Sequence, residues 1–203
     1  MHWEKVYASK QPNEVSWTQQ TPQTSLDFIH RFNLSKEARI IDIGGGDSKL
    51  VDHLLNEGYE NITVLDISAK AIDKAKHRLG ERAADVTWII SDVIDFEPRL
   101  SYDVWHDRAT FHFLTKDEEV KKYAAVVERA VSGYLMIATF SDTGPEKCSG
   151  LTVKRYNEIQ LAKEFAKSFE KIHCLQEDHV TPFHTRQNFL FCGFKKLDSN
   201  TNR

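Results

Sequence analysis

Long apolar runs are missing from this chain, and so are several other features that would assign it to a class. No stretch approaches the roughly 18 apolar residues that a membrane-crossing helix needs, so no membrane association is expected. The opening residues Met1-His2-Trp3-Glu4-Lys5 lack the apolar core of a secretory signal. Net charge is scarce too, at -3 over 203 residues, with no block of lysine and arginine. That balance leaves no electrostatic footprint for nucleic acid and disfavours a tRNA or DNA partner. Cysteine is limited to Cys148, Cys174 and Cys192. Their number is odd, their spacing wide and no Cys-x-x-Cys pair occurs, so a reducing, cytoplasmic setting is expected. The histidines include His173, His179 and His184, but none has helical His-x-x-x-His spacing or a paired cysteine. No metal site is expected. Repeats, low-complexity tracts and internal linkers are lacking as well.

What is present has the balance of an ordinary globule, 40% hydrophobic and 28% charged. A chain of this length buries roughly 70% of its unfolded surface, enough for a core without disulfides or metals. A single domain over 1–203 is expected. Residues 1–20 are polar yet carry Trp3, Tyr7 and Trp17, too much aromatic surface for a disordered leader. Residues 21–197 form the core and 198–203 a polar tail.

A helix is predicted from Thr21-Pro22, with Thr21 as its N-cap. From Arg39 onward apolar runs alternate with amphipathic stretches. Strands are predicted at 39–43, 62–66, 86–90, 102–106 and 134–140. One intervening helix turns Leu50, Val51, Leu54 and Leu55 inward and stops at Gly58. The next is capped by Ser68 and buries Ala71, Ile72, Ala75 and Leu79. Thr115 with Glu118 has capping-box spacing and opens a helix to about Ala130, and Asn157 caps another to about Phe169. The runs 171–177 and 188–195 follow with no helix between them, which reads as an antiparallel pair. The sum is an α/β, doubly wound, mostly parallel sheet with helices on both faces and an antiparallel edge hairpin.

In such a sheet, ligands bind beyond the carboxyl ends of the strands where strand order reverses. The first strand ends in Asp42-Ile43-Gly44-Gly45-Gly46-Asp47-Ser48, and a helix follows. Glycines there permit positive φ and close approach of a ligand, and the helix start offers free amides; the bland alternative is a tight turn. A dinucleotide fingerprint beginning at Gly44 would need glycine or alanine where Lys49 stands. Asp42 and Asp47 would also repel a pyrophosphate. S-adenosylmethionine, with a sulfonium, an ammonium and one carboxylate, suits this acidic loop better than NAD or ATP. Asp66, ending the second strand, is placed to accept from ribose hydroxyls, unless it is only a turn residue before Ser68. Ile67 is placed to cover an adenine face, and Asp92 after the third strand to accept from its amino group.

Taken together, Asp42-Ile43-Gly44-Gly45-Gly46, Asp66 and Asp92 resemble the motifs of class I S-adenosylmethionine methyltransferases. The likeness covers about residues 20–195, with Ser48 standing where that family has its third motif glycine. It implies a seven-stranded sheet whose last strand is antiparallel. By similarity, Asp42 and the glycine loop hold the methionine part, Asp66 the ribose, and Asp92 with the Val93 amide the adenine. His106 borders the cofactor and N-terminal aromatics, Trp17 among them, close over it. His112 aligns with a histidine carried by many small-molecule members.

On the acceptor side, the fourth strand runs into His106-Asp107-Arg108, with His112 close behind. Asp107 and His112 are candidate bases, needed only where the nucleophile arrives protonated. Arg108 is a candidate clamp for a substrate carboxylate. The structural alternative is an Asp107–Arg108 ion pair stiffening the loop. The ten residues from Ser141 to Gly150 form a second lid candidate, while Lys154 and Arg155 read as a solvated face, with an anion site as the alternative. The function expected is methyl transfer to a small-molecule acceptor, with a protein acceptor less favoured because no separate recognition domain is present. A nicotinamide oxidoreductase and a non-catalytic S-adenosylmethionine sensor stand as alternatives.

Overall fold

The computed structural model describes residues 2–11 and 14–198, so all but the first residue of the expected polar tail lies outside the described residues. Helices α1 (His2–Ser9) and α2 (Gln23–Arg31) precede β1 (Arg39–Ile43). The chain then alternates through α3 (Leu50–Asn56), β2 (Asn61–Asp66), α4 (Ala69–Leu79), β3 (Val86–Ile90), β4 (Tyr102–Arg108), α5 (Asp117–Ala130) and β5 (Val131–Phe140). A short pair, β6 (Lys147–Cys148) and β7 (Leu151–Thr152), occupies the next loop. Helix α6 (Glu158–Phe165) leads into β8 (Phe169–Val180) and β9 (Arg186–Lys196).

Seven strands form one sheet in the order β3-β2-β1-β4-β5-β9-β8. Strands β1 to β5 are parallel, and β9 runs against both of its neighbours. The hairpin predicted at the edge is therefore present, but the later strand is the inner one. Sequence accounts for the choice. Phe189, Leu190, Phe191, Cys192 and Phe194 are all buried, so β9 is apolar on both faces, as an interior strand requires. Strand β8 exposes Ile172 and shifts register between Lys171 and His173, a break that blunts an edge against further pairing.

Successive residues on each strand face opposite layers. Ile40 and Val104 pack with Leu26, Ile29, Leu50 and Leu54 from α2 and α3. Ile41 and Trp105 pack with Val120, Val127, Leu161 and Phe165 from α5 and α6. Each fully buried side chain of this size stabilises the fold by roughly 1.5–3 kcal/mol.

Some boundaries moved. Pro22, not Thr21, takes the N-cap place of α2, with no side-chain bond. The box expected at Thr115 sits one residue on, where Glu119 accepts from the Lys116 amide at 3.3 Å. Ser68 and Asn157 cap as expected, bonding the amides of Ala71 at 3.2 Å and Gln160 at 3.0 Å. Helix α6 stops at Phe165 because Phe169, facing Lys196, already opens β8.

Cysteine pairing also departs from expectation. Cys174 and Cys192 face each other across β8 and β9 and are joined as a disulfide, leaving Cys148 as a buried free thiol. Sequence spacing hides this pair; antiparallel register creates it. Among the described residues, no helix is long and apolar enough to cross a membrane.

Candidate functional site

Strand order reverses between β1 and β4, and Asp42 and His106 are direct neighbours there. A cavity of about 600 Å³ opens at that point, within the usual range of roughly 300–1,000 Å³ for small-molecule sites. Helix α1 helps to roof it. Glu4 accepts from the Lys70 amide at 3.3 Å and Lys74 donates to the Lys10 carbonyl at 2.8 Å, tying the N-terminal segment to α4. Trp17 lines the cavity and lies edge-on to Trp3 and Tyr7, with ring centres 5.8 and 6.2 Å apart. The N-terminal aromatics thus pack on one another over the glycine loop.

That loop is tight for a reason. Gly44 holds φ at +63°, and a Cβ there would fall 1.9 Å from Thr110 Oγ1. At Gly46, with φ at +34°, a Cβ would lie 2.6 Å from Asp66 Oδ2. Gly44 and Gly45 line the cavity, while Gly46 sits just behind, against Asp66 and the Tyr7 hydroxyl. Ser48, in the family's glycine position, accepts from the Leu50 amide at 3.1 Å and so helps to start α3.

The two acids flanking the loop have different surroundings. Asp47 is paired with Arg78, which also holds Asp52 at 2.9 Å. Asp42 is almost wholly buried. Its Oδ1 meets His106 Nδ1 at 2.7 Å, and its Oδ2 has no hydrogen-bond partner among the described residues. His106 reaches Ser25 Oγ with its other nitrogen, at 2.9 Å. Ser25 was missed by sequence reasoning. Its one signal was a polar residue on the inward stripe of α2, four residues before Ile29.

Asp66, Ile67, Asp92 and Val93 all line the cavity. Asp66 accepts from the Ser68 amide at 2.7 Å through Oδ1, so the turn role is real. Its other oxygen faces the glycine loop. Burial, helped by the charges of Asp42 and Glu4, pushes its carboxyl up to about 7. Asp92 bonds the Ile94 amide at 3.1 Å and starts a short 3-10 turn over Val93–Asp95.

The acceptor candidates are separated by the pleat. Because β4 extends to Arg108, His106 and Arg108 share the α2 face, whereas Asp107 faces α5. Asp107 does not line the cavity. Its carboxylate accepts from Tyr123 at 2.6 Å and from the amides of Thr110 and Phe111 at 3.0 and 3.2 Å. These contacts brace the turn after β4, and no Asp107–Arg108 ion pair forms among the described residues. His112 is fully buried between Phe113 and Phe140, with ring centres 4.5 and 4.6 Å away. Burial and the Arg108 charge push it down to about 3, so it stays neutral. It too lies outside the cavity wall. Arg108 alone of the three lines the cavity. Burial draws its guanidinium down to about 10, which keeps it charged near neutral pH. Lys154 and Arg155 pair with Asp117, Glu164 and Glu146.

Residues 40–132 match the family described as a methyltransferase domain. A malonyl-[acyl-carrier protein] O-methyltransferase of Anoxybacillus flavithermus is 36% identical over 136 residues, which is 66% of this chain and 46% of that protein. Residues 40–132 thus carry a methyltransferase domain of the class I S-adenosylmethionine-dependent kind. A mouse eEF1A lysine and N-terminal methyltransferase is 29% identical over 119 residues, 58% of this chain and 17% of that protein. The chain thus spans less than half the length of these two curated relatives. The crystal structure of the N-methyltransferase NodS from Bradyrhizobium japonicum, in complex with S-adenosyl-L-homocysteine, superposes with a TM-score of 0.73. That match covers 98% of this chain and 100% of the other at 13% identity, and shows a shared fold.

The residues of this methyltransferase domain fit the family's cofactor. The unpartnered Asp42 oxygen is an acceptor awaiting N–H donors, which an ammonium supplies. Asp66 and Asp92 offer carboxylates on the wall between β2 and β3, with Ile67 as an apolar surface.

Proposed function

We propose that this domain transfers a methyl group from S-adenosylmethionine to a small-molecule acceptor admitted beside Arg108. The observation that carries the reading is Asp42, whose buried oxygen beside Gly45 lacks a partner. A cationic amino-acid portion of a ligand answers that lack, and a pyrophosphate does not. When bound, the cofactor supplies an electrophilic methyl. The chain supplies position: His106 and Ser25 fix the Asp42 carboxylate, and Asp66 and Asp92 are assigned to the nucleoside. Holding the reacting atoms in near-attack geometry can account for much of the rate of such a displacement. The roof of α1 and Trp17 favours a small acceptor over the surface of a folded protein. The relatives differ in acceptor, one named for malonyl-[acyl-carrier protein] and another for eEF1A, so neither acceptor is carried over.

Calorimetric titration with S-adenosylhomocysteine and with NAD tests the reading. Saturable binding of the first and none of the second is expected, followed by methyl transfer to members of an acceptor library. Binding of NAD with no binding of S-adenosylhomocysteine overturns it, and binding without transfer to any acceptor turns the enzyme into a sensor.

A further inference from the structure

Arg108 closes strand β4 on the same face as His106 and lines the same cavity as Asp42 and Asp66. Its Nη1 donates to the Trp17 carbonyl at 3.1 Å. Its Nε and Nη2 are buried and have no hydrogen-bond partner among the described residues. Those two nitrogens form one edge of the planar guanidinium, spaced to meet both oxygens of a carboxylate. Phe189 lies under the guanidinium, 4.7 Å from ring centre to Cζ, and holds its plane. The nearby acids Glu177 and Asp42 favour the guanidinium by charge but do not hydrogen-bond it: Asp42 holds His106, and Glu177 accepts from Thr24 Oγ1. A charged donor edge buried without an acceptor is costly, and removal of that cost favours whatever anion docks there.

Resting on the methyltransferase reading above, we propose that Arg108 anchors a carboxylate of the methyl acceptor. A singly charged group matches the site, because Asp42 and Asp66 share the cavity and oppose a dianion such as phosphate. With both its oxygens engaged by the guanidinium, the carboxylate is a handle, and the methyl goes to another atom of the acceptor. The acceptor class is therefore a small carboxylic acid that carries its nucleophile elsewhere. Both free nitrogens are closed to water in this conformation, so the acid reaches them only as the groups covering them give way.

Ligand-observed NMR on the whole chain, with and without saturating S-adenosylhomocysteine, tests this with small carboxylic acids, their primary amides and inorganic phosphate. The acids are expected to bind and the amides not. Arg108→Gln should weaken acid binding at least tenfold while keeping its affinity for S-adenosylhomocysteine, and Arg108→Lys should retain part of the acid binding. Acids that bind no better than their amides overturn the proposal, as does acid binding that survives Arg108→Gln, a panel in which no acid binds, or phosphate displacing the acids. The wild-type comparison of acid with amide decides even where Arg108→Gln does not fold. Failure of S-adenosylhomocysteine to bind wild-type protein is a separate result: it removes the cofactor reading and leaves the acid-binding test to stand on its own.

Discussion

The Asp42 carboxylate and the His106 imidazole lie side by side on adjacent parallel strands, 2.7 Å apart, and His106 extends the contact to Ser25 at 2.9 Å. One chain of polar contacts thus ties β1, β4 and α2 together where the strand order reverses. Replacing His106 with alanine leaves both Asp42 oxygens unpartnered. The expected cost is about 1–3 kcal/mol of stability, read from urea denaturation. Asp42→Ala and His106→Ala should be markedly non-additive, as members of one network are. Additive losses would mean that the contact has no energetic weight. Asp42→Asn keeps a hydrogen-bonding group and loses the charge, so it should bind S-adenosylhomocysteine more weakly.

Asp66 titrates unusually. Its folded value of about 7 lies above the ordinary 3.8, so the native protein holds this proton more tightly than the unfolded chain. Its contribution to stability is therefore greatest below about pH 4 and declines as pH rises to about 7. Asp66→Asn should remove that decline, which thermal melts at pH 5 and pH 8 would show as a smaller difference than in wild type. Asp66→Ala should weaken S-adenosylhomocysteine binding by about 1.5–3 kcal/mol, and unchanged affinity in a folded variant would refute the ribose assignment.

Asp107 works through the fold. Its carboxylate is shared by Tyr123 and two backbone amides on the α5 side of the sheet. Asp107→Ala and Tyr123→Phe should each cost about 1–3 kcal/mol and couple strongly in a double-mutant cycle. Affinity for S-adenosylhomocysteine should stay near wild type in both. A variant of normal stability that loses only turnover would return Asp107 to the reacting centre.

Thiol counting checks the cross-strand pair. Alkylation of protein unfolded without reductant should modify one cysteine, Cys148, of the three in the chain. Mass spectrometry reads this directly. Modification of all three would show that Cys174 and Cys192 are not joined.

Local chemistry made much of this architecture legible. Strands β1 and β3 fall at the residues their apolar runs predict, and the Ser68 and Asn157 caps are where side-chain chemistry puts them. The glycine loop with Asp42 and Asp66 was readable because those residue types follow a strand end. What could not be read was set by pairing across the sheet. Strand β4 runs two residues further than predicted because Asp107 and Arg108 pair with Ile137 and Ala138. As loop residues they would fall on one side; as strand residues they point to opposite faces. The partnership of His106 with Ser25 crosses from strand to helix, and the disulfide depends on register. Neither leaves a local mark in the sequence.

The position of β9 sets the order in which the molecule can be completed. Strand β5 has its outer edge open until residues 186–196 arrive to fill it. During synthesis, everything through β8 leaves the ribosome with no pairing on that edge, and β8 itself has nothing in the sheet to join. An open strand edge flanked by apolar residues invites pairing with other chains. A nascent chain cut or stalled before Arg186 would keep its glycine loop and lose the seal on its sheet, leaving the β5 edge open to pairing with other chains.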